Sequence, residues 1–565
     1  MSRSGGTGRG WSPSGRVIAR GWGPGSSTGS ATTGSTRAAG PLRASRSGLS
    51  RSRTGFGTRR HTRRSPRSPE SVTASSLRGD SGRGTLLFSR SRYCNEGRGP
   101  NPTWASRRKD HDVTQPHLLY VAWGYPPCRG GGVYRALATA NAFARSGWRV
   151  TVLTADRDTF DRYTGTDPSL ESRIDPDITV MRVPFEWPAQ DADIRTYSWL
   201  RAQLPQAWHR WRGLLDRRSF PERGYGPWRG PLERAARSIH AADPVDLVVS
   251  TANPYVTFTA ADALAKDGVP YVLDYRDAWT LDVFSGRTLT GRWSRIGRWE
   301  QRLLAGAREV WFVNEPIRDW HAARYREVAD RMHVVANGWD PDLLRSEDRS
   351  PATGRSEAAE IAGVDEPPRP RFGYVGTMTR MVPLTELIDG WELAKRNGSL
   401  PTGATLSLAG YLGYFAVPDP QMLATIERGR SFGVSYDGPI AKNDVGAYYA
   451  DVDVLVLALG AGRYVTSGKV FEYLATGLPI VSVHDPRNAA ATVLRGYPLW
   501  VPTDATDAAA VAVALGRGWQ LARGADPSLA AVALEFAEQF RRDRQFAPRL
   551  RALSDISPAR QGTSG

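Results

Sequence analysis

The sequence predicts an α/β fold of two doubly wound domains, each with a parallel sheet, that face each other across a cleft. From residue 117 onward, short apolar strands alternate with helices that end in glycine, and this order produces parallel sheets with helices on both faces. The alternation restarts after a polar, proline-containing stretch at residues 346–370, which is typical of a linker. Ligands of such sheets bind at the carboxyl ends of the strands.

The first run of elements lies at residues 113–345. A loop, Gly130–Gly132, follows the first strand and precedes a helical run, Val133–Arg145, which Gly147 closes as a C-terminal glycine. Residues 185–235 are rich in Trp and Arg and predict an insertion of helices and loops. Strands are predicted at 117–122, 149–154, 246–250, 271–274, 310–313 and 333–335.

The second run lies at residues 371–545, and residues 546–565 are predicted to be a tail. The continuous apolar stretch at 452–459 is typical of a strand that is buried on both faces. The other strands of this run are predicted at 372–376, 404–410, 434–436 and 479–483.

The basic excess of the chain is confined to its first segment. Residues 1–110 hold 22 Lys and Arg against four Asp and Glu, so they carry the whole formal net charge of +18. Their Arg-, Ser- and Gly-rich composition cannot bury enough apolar surface to offset the entropy of ordering, and residues 1–112 are therefore predicted to be disordered. Three interpretations stay open: an upstream reading frame joined by a mis-assigned start, a solvated arm whose composition resembles a transit peptide, and a nucleic-acid-binding arm.

Composition also argues against several classes of protein. Two cysteines, Cys94 and Cys128, allow no intradomain disulfide framework and no cysteine zinc site, which fits a reducing cytosol. No apolar run approaches the ~20 residues of a membrane-spanning helix. Because no His-Glu-x-x-His motif and no Cys–His cluster occurs in the sequence, neither a metal nor another cofactor is expected.

The stretch 467–481 carries the clearest chemical signal. Ser467 and Gly468 open a short predicted helix, on which Lys469 and Glu472 are three residues apart and project toward the same point. The helix N-terminus adds free backbone N–H groups and a positive dipole end. A cation, N–H donors and one carboxylate suit a nucleotide sugar, which is part diphosphate and part diol.

The alternative interpretation of this stretch is an ordinary strand–turn–helix with a solvated Lys–Glu pair, which is common at this spacing. Composition argues against it, because the chain contains five lysines (109, 266, 395, 442 and 469) against 70 arginines. A lysine at the mouth of a glycine turn therefore indicates a position that needs a compact point charge.

Four motifs taken together resemble the retaining GT-B glycosyltransferases often called family 4. They are Tyr125-Pro126-Pro127 with Gly130–Gly132, then Asp274–Trp279, Asn337–Asp340 and the stretch 467–481. The resemblance covers residues 115–545. It implies a Rossmann-like acceptor domain, a Rossmann-like nucleotide-sugar domain and a final helix that crosses back to the first domain.

The resemblance also implies roles for individual residues. Glu472 would hold the ribose diol of the donor, while Lys469 and Arg380 would serve as catalytic cations at the leaving diphosphate. The remaining donor-binding residues are small and lie in turns that backbone and phosphate can approach closely; they are Gly131, Gly132, Gly376, Thr377, Ser467 and Gly468. On the acceptor side, Arg276 and Asp277 either bind acceptor or phosphate, or form a structural ion pair that anchors a loop. Asp274 is expected to cap that loop and Asn337 to form a turn between the domains.

One position departs from the family pattern. The family's Glu-x7-Glu motif has its second glutamate at Glu472, and its first falls at Tyr464, which is not a carboxylate. In the family, that first glutamate usually contacts hydroxyl groups of the donor sugar. The departure leaves the donor sugar open, and it also leaves open a catalytically silent nucleotide-sugar-binding protein.

The resemblance thus implies a cytoplasmic, metal-independent glycosyltransferase of the hexosyltransferase type, as in polysaccharide biosynthesis. It would move a sugar, with retention, from a nucleoside diphosphate sugar to a glycan, lipid-linked or small-molecule acceptor. The expected partners are the nucleotide sugar, the acceptor and the inner face of the membrane as a peripheral contact, with no specific nucleic acid. The alternative is a nucleotide-sugar epimerase of the same fold, which would need acid–base carboxylates and histidines in the cleft.

Overall fold

The structure, a computed structural model, describes residues 115–191, 193–341, 369–413, 419–460, 462–524 and 526–556. The segment predicted to be disordered and residues 346–368 of the predicted linker lie outside these ranges. Within them, thirteen strands form two parallel sheets. The predicted fold class is confirmed.

The first sheet contains seven strands. They are β1 His117–Val121, β2 Arg149–Ala155, β3 Thr179–Val183, β4 Leu247–Thr251, β5 Tyr271–Tyr275, β6 Glu309–Phe312 and β7 Met332–Val334. The spatial order is β3-β2-β1-β4-β5-β6-β7, so the direction of winding reverses between β1 and β4. The sequence did not predict β3, because this edge strand buries only Val183 fully and therefore lacks the continuous apolar run of its neighbours.

Helices cover both faces of this sheet. They are α1 Val133–Arg145, α2 Arg157–Tyr163, α3 Trp199–Gln203, α4 Pro205–Ser219, α5 Arg229–Ala242, α6 Phe258–Ala265, α7 Arg295–Gly306 and α8 Glu315–Arg324. Helix α1 has the predicted bounds, and Gly147 follows it with a φ of 85°, the left-handed conformation expected of a C-terminal glycine. The predicted insertion contains α3, α4 and the start of α5.

The second sheet has six strands and the same kind of reversal. Its strands are β8 Arg371–Val375, β9 Thr405–Ala409, β10 Val434–Gly438, β11 Val454–Ala458, β12 Ile480–Val483 and β13 Trp500–Val501. Their order is β10-β9-β8-β11-β12-β13, with the reversal between β8 and β11. Strand β13 was not predicted, since two residues are too short to give a pattern.

The helices of the second half are also short to medium in length. They are α9 Leu384–Arg396, α10 Pro420–Gly429, α11 Val445–Ala450, α12 Gly468–Leu474, α13 Ala489–Leu494, α14 Ala508–Gly524, α15 Pro527–Glu538 and α16 Arg542–Ala552. In the central strand β11, Val454 and Val456 enter the apolar cluster on one face of the sheet, and Leu455 and Leu457 enter the cluster on the other. This alternation shows why central parallel strands are apolar at every position.

Helix α16 belongs to the first domain although it follows the second in the chain. Phe546 and Leu553 are fully buried in the same apolar cluster as Tyr120 and Trp311. The chain therefore crosses back, as the resemblance implied. Residues 546–556, which the sequence analysis assigned to a tail, are packed instead, because Phe546, Leu550 and Leu553 form an apolar stripe at helical spacing.

Candidate functional site

The two crevice-lining elements of the second sheet are the segment after β8 and helix α12, which follows β11. Strands β8 and β11 flank the point where the strand order reverses, and such a point opens a crevice at the carboxyl ends of the strands. Gly376 follows β8 with a φ of 129°. A Cβ added to Gly376 would overlap the side chain of Lys469, whose Nζ would lie 2.9 Å away. The missing side chain of Gly376 therefore makes room for the lysine.

Lys469 lies at the first turn of α12 and is partly buried. Its Nζ donates a hydrogen bond to Oη of Tyr374 and lies 4.1 Å from the centroid of that ring. Burial lowers the pKa of Lys469 to about 7, although the negative charge of Glu472 opposes the shift. Among the described residues Lys469 has no ion-pair partner within 4 Å, so its ammonium group is a cation without a counter-ion. An anionic ligand in this crevice would provide one.

Glu472 lies on the same side of α12 but binds other groups. Its Oε1 accepts a hydrogen bond from Nζ of Lys442 at 2.5 Å, and its Oε2 accepts one from Oη of Tyr449 at 3.2 Å. Lys469 and Glu472 therefore do not meet at one point as predicted: residues three apart are rotated by about 60° around a helix, and each found its own partner. A carboxylate has about four lone-pair positions, so Glu472 can still accept further O–H donors.

Sequence reasoning missed Lys442. This residue begins a 3₁₀ turn, Lys442–Asp444, its side chain is 8 % exposed, and its Nζ lies 5.3 Å from the ring centroid of Tyr134 in helix α1. Arg542 adds a second buried cation, which donates to the backbone oxygens of Tyr134 and Gly338 and interacts electrostatically with Glu472. The rarity of lysine was the available signal, because Lys442 is one of five in the chain.

The loop Gly130–Gly132 brings the first domain to this crevice. The guanidinium of Arg129 lies 4.3 Å from the ring centroid of Tyr411, which follows β9. Gly131 is exposed, with nothing within 4 Å of an added Cβ, while a Cβ at Gly132 would overlap the guanidinium of Arg276. Contacts on both sides of the loop, at Arg129 and at Tyr134, thus join it to the second domain.

Arg276 and Asp277 follow β5 at the carboxyl edge of the first sheet, and both are partly buried. Neither side chain makes a hydrogen bond or an ion pair with another described residue. The alternative of a structural Arg276–Asp277 ion pair is therefore not what the structure shows. A role of these two residues at the acceptor stays a prediction.

Asp274 does not cap a loop as expected; it forms a buried ion pair. Arg135 donates to its carboxylate from Nε at 2.8 Å and from Nη2 at 2.6 Å, and Thr251 donates from Oγ1 at 2.9 Å. The third guanidinium nitrogen, Nη1, donates to the backbone oxygen of Val335 at 2.9 Å and to Oδ1 of Asn337 at 3.4 Å. This network ties α1 and the carboxyl ends of β4 and β5 to the chain that leaves the first domain.

Two other residues of interest lie elsewhere. Arg380 is 75 % exposed and forms an ion pair with Asp419 at 2.6 Å, so the structure does not bring it to Lys469, and its catalytic role stays a prediction. Tyr464 is buried in the core of the first domain, where Asn314 donates to its backbone oxygen at 2.9 Å. The position at which the resemblance would place a first glutamate is thus used for a contact between the domains.

Other donor-side residues line the same crevice. Ser467 caps α12 by accepting a hydrogen bond from the backbone N–H of Lys469, and Gly468 is exposed beside it. Thr377 is exposed and its backbone oxygen accepts a hydrogen bond from Oη of Tyr374 at 3.2 Å. Among residues whose placement is described, no group of three or more His, Cys, Asp or Glu is arranged to hold a metal ion. None of the described helices is long and apolar enough to span a bilayer.

Comparisons with known proteins agree with this architecture. Residues 130–338 match the family model described as the glycosyl transferase 4-like domain. This range begins in the glycine loop and ends at Gly338, so it holds the loop, the Asp274–Trp279 motif and the start of the Asn337–Asp340 motif. The comparison with curated proteins gave no match.

Solved structures similar to this chain share its fold over the same extent. A glycosyltransferase from Rickettsia africae ESF-5 has 12 % identity and a TM-score of 0.53, over 78 % of this chain and 98 % of that one. A UDP-forming trehalose-phosphate synthase from Burkholderia xenovorans has 14 % identity and a TM-score of 0.51, over 78 % and 99 %. An E. coli trehalose-6-phosphate protein bound with UDP-2-fluoroglucose has 14 % identity and a TM-score of 0.50, over 78 % and 100 %. The fold is that of the GT-B glycosyltransferases.

Proposed function

We propose that this protein is a glycosyltransferase that takes a sugar from a nucleoside diphosphate sugar and transfers it to an acceptor hydroxyl with retention. The observation that carries the proposal is the position of Lys469, a partly buried cation at the switch point of the second sheet that has no ion-pair partner within 4 Å among the described residues. A diphosphate supplies the missing negative charge. It gains further charge as the glycosidic bond breaks, so the lysine stabilises the leaving group more strongly in the transition state than in the ground state.

The nucleoside end of the donor is assigned to Glu472. Lys442 and Tyr449 fix both of its carboxylate oxygens and leave lone pairs for the two hydroxyl groups of a ribose. The loop Gly130–Gly132 closes the crevice from the first domain, and Gly131 leaves open space where a sugar or phosphate can approach backbone. This role is supported by the E. coli structural neighbour, which carries a UDP-sugar analogue.

The finer parts of the proposal concern the reaction partners. We assign the acceptor to the carboxyl edge of the first sheet, where the partly buried side chains of Arg276 and Asp277 have no hydrogen bond or ion pair with any residue that the structure describes. The acceptor is a glycan, a lipid-linked sugar or a small metabolite, the transferred group is a hexose, and the reaction belongs to polysaccharide biosynthesis in the cytoplasm. Lys469 takes the place that a divalent ion has in enzymes with an acidic metal site, so transfer is proposed to be independent of metal ions.

The test is a thermal-shift screen of the full-length protein against nucleoside diphosphates. A ligand that binds the folded state stabilises it by about 2.7 kcal/mol at 100 times its Kd, so the nucleotide with the correct base raises the melting temperature further at each higher concentration, roughly with the logarithm of that concentration. Lys469→Met should lose this response. Transfer from the matching nucleotide sugar is then measured with and without EDTA. No response to any nucleoside diphosphate would refute the donor site, and loss of transfer in EDTA would refute its independence of metal.

A second candidate, a silent nucleotide-sugar-binding protein, is favoured by one observation. Tyr464 stands at the position of the family's first glutamate and is buried against the first domain, so it offers no carboxylate to the donor sugar. Nucleotide binding of the wild-type protein without transfer or hydrolysis of any nucleotide sugar would favour this candidate.

A further inference from the structure

We infer that helices α3 and α4, in the insertion of the first domain, form a surface that docks onto an anionic lipid bilayer. We call this surface the α3–α4 face. It consists of five large apolar side chains that are each 52–76 % exposed: Ile194, Trp199, Leu204, Trp211 and Leu214. The inference concerns a surface outside the proposed donor and acceptor sites and does not depend on their chemistry.

The apolar residues form a continuous stripe along α4. Leu204, Ala207, Trp211 and Leu214 follow one another at intervals of three or four residues, and all are exposed. On the opposite side of the same helix Gly213 and Asp216 are buried, and Trp208 is buried at the flank of the stripe. A core-facing helix would show the reverse, with its apolar stripe turned inward. Helix α4 is therefore anchored by one side and presents a second apolar side to its surroundings.

The exposed side chains are held on a rigid base. The guanidinium of Arg201 in α3 is buried and lies 3.6 Å from the ring centroid of Tyr197 and 4.7 Å from that of Trp208. Asp216 is buried in an ion pair with Arg212 at 2.8 Å. Both helices are thus fixed to each other and to the domain, and the exposure of Trp199 and Trp211 follows from the packing of the elements that carry them.

The charge of the region complements an anionic surface. Between residues 194 and 218 there are six arginines and one acidic residue, Asp216, which is buried. Arg210, Arg217 and Arg218 are exposed beside the apolar stripe, and their side chains have no hydrogen bond or ion pair with any described residue. Trp and Leu at the boundary between headgroups and acyl chains, flanked by Arg, is the composition of interfacial helices. This combination favours a lipid surface over a protein partner.

A neighbouring segment extends the face. Arg295 donates hydrogen bonds to the backbone oxygens of Arg217 and Arg218 at 2.6 Å each, which joins the first residue of α7 to the C-terminal end of α4. Two residues earlier, Trp293 is 84 % exposed. A further exposed Trp therefore lies in the segment that leads into the contact between α7 and the C-terminal end of α4.

The experiment places a fluorophore on the face of the full-length protein. Cys94 is replaced by Ser, and Ala207→Cys is labelled with an environment-sensitive dye. Cys128 stays unlabelled because it is buried, and burial raises the pKa of its thiol. With vesicles that contain phosphatidylglycerol, the emission should shift to shorter wavelength, and with pure phosphatidylcholine much less. The matched control, Val513→Cys on an exposed position of α14, should not respond.

Two pairs of variants separate the apolar and the electrostatic contributions. Trp199→Ala with Trp211→Ala should lower vesicle affinity by roughly tenfold or more, since two exposed aromatic side chains can no longer enter the bilayer. Arg210→Gln with Arg217→Gln should lower it by about fivefold per arginine. Arg517→Gln with Arg551→Gln, a charge-matched change elsewhere on the surface, should have no such effect. Unchanged melting temperatures show that the variants fold.

Three results would overturn the inference. The first is that the protein does not bind anionic vesicles at all. The second is that it binds while both labels stay in water, which would assign attachment to another part of the chain, such as the basic residues before 110. The third is that the label at 207 responds to protein concentration without lipid, which would make the face a contact between copies of this chain.

Discussion

The two sheets reverse their strand order in the same way, but the charged groups beside the two switch points differ in whether they are paired with an opposite charge. In the first domain, Arg135 and Asp274 are buried together, and Thr251 and backbone oxygens occupy their remaining hydrogen-bonding positions. In the second domain, Lys469 has a phenol as its partner and no carboxylate within 4 Å in the part of the chain that the structure describes. A satisfied ion pair fixes a structure, whereas an unsatisfied cation in a crevice is available to a ligand. The same architecture thus contains a structural centre and a binding centre.

The largest effect is expected from breaking the structural centre. Asp274→Asn leaves the Arg135 guanidinium buried beside a neutral group and should lower the free energy of unfolding by about 3–5 kcal/mol, as measured by urea denaturation. Adding Arg135→Met should restore part of this loss, because the two changes remove one interaction. Lys469→Met should leave stability unchanged or raise it, since it removes a partly buried charge. If Lys469→Met destabilised the protein as much as Asp274→Asn, the contrast between the two centres would be wrong.

The next effect concerns catalysis by the binding centre. Lys469→Ala should lower kcat by roughly 100- to 1000-fold, as expected when one preorganised donor to a developing negative charge is removed, with a smaller change in the KM for the donor. Lys469→Arg should recover only part of the rate, because a planar guanidinium does not fit the space above Gly376 as a compact ammonium does. The matched control is Lys266→Ala, at an exposed lysine of the first domain. Near-normal kcat in Lys469→Ala would mean that the diphosphate binds elsewhere.

A smaller effect, of a different kind, is expected at Glu472. Ribose hydroxyls change little as the glycosidic bond breaks, so Glu472→Gln should raise the KM for the donor by about ten- to a hundredfold, the cost of one charged hydrogen-bond partner, and change kcat little. Steady-state kinetics with varied donor separates the two constants, and Glu535→Gln, at an exposed position of α15, is the control. A fall in kcat at unchanged KM would contradict the assignment.

The last prediction uses the pKa of Lys469, which is about 7 in the free protein. A diphosphate beside the ammonium group favours its charged form and raises the pKa in the complex, so binding takes up a proton. The Kd should therefore rise by up to about tenfold per pH unit above pH 7, and this residue should add no pH dependence well below it. Calorimetric titration of Lys469→Arg should lack this rise, because arginine stays protonated. Equal pH profiles of the two proteins would exclude the lysine from the site.

Much of the fold was predictable because it depends on local patterns. Central strands such as β11 are apolar at every position, and α1 begins after a glycine loop and ends before Gly147, so both were placed correctly. The elements that sequence reasoning missed carry weak local signals: β3 is a half-exposed edge strand and β13 has two residues. The resemblance implied the final helix that crosses back, but the domain bounds assigned its residues from 546 onward to a tail. The apolar stripe of α16 makes sense only against a core more than 200 residues away in the chain.

The candidate site was predictable in part for the same reason. The stretch 467–481 lies on one strand–turn–helix unit, so its residues are neighbours in sequence and in space. Lys442 and Tyr134 could not be joined to Glu472 from sequence, because they come from a different turn and a different domain. Arg380 was predicted from the sequence as a second cation for the diphosphate, but in the structure it forms an ion pair with Asp419. The sequence could not predict this pairing, because the two residues are 39 positions apart.

By itself, the sequence determined the class of fold, the alternation of strands and helices along the chain and the helix that carries Lys469 and Glu472, because periodicity, glycine and capping residues act over a few positions of the chain. Only the tertiary structure decided which groups are paired. Burial and distance distinguish Arg135, whose charge Asp274 neutralises, from Lys469, which has no ion-pair partner within 4 Å among the described residues, and both quantities depend on residues that the chain brings together from far apart. The exposure of Trp199 and Trp211 was likewise decided by packing, since their sequence alone fits a core as well as a surface.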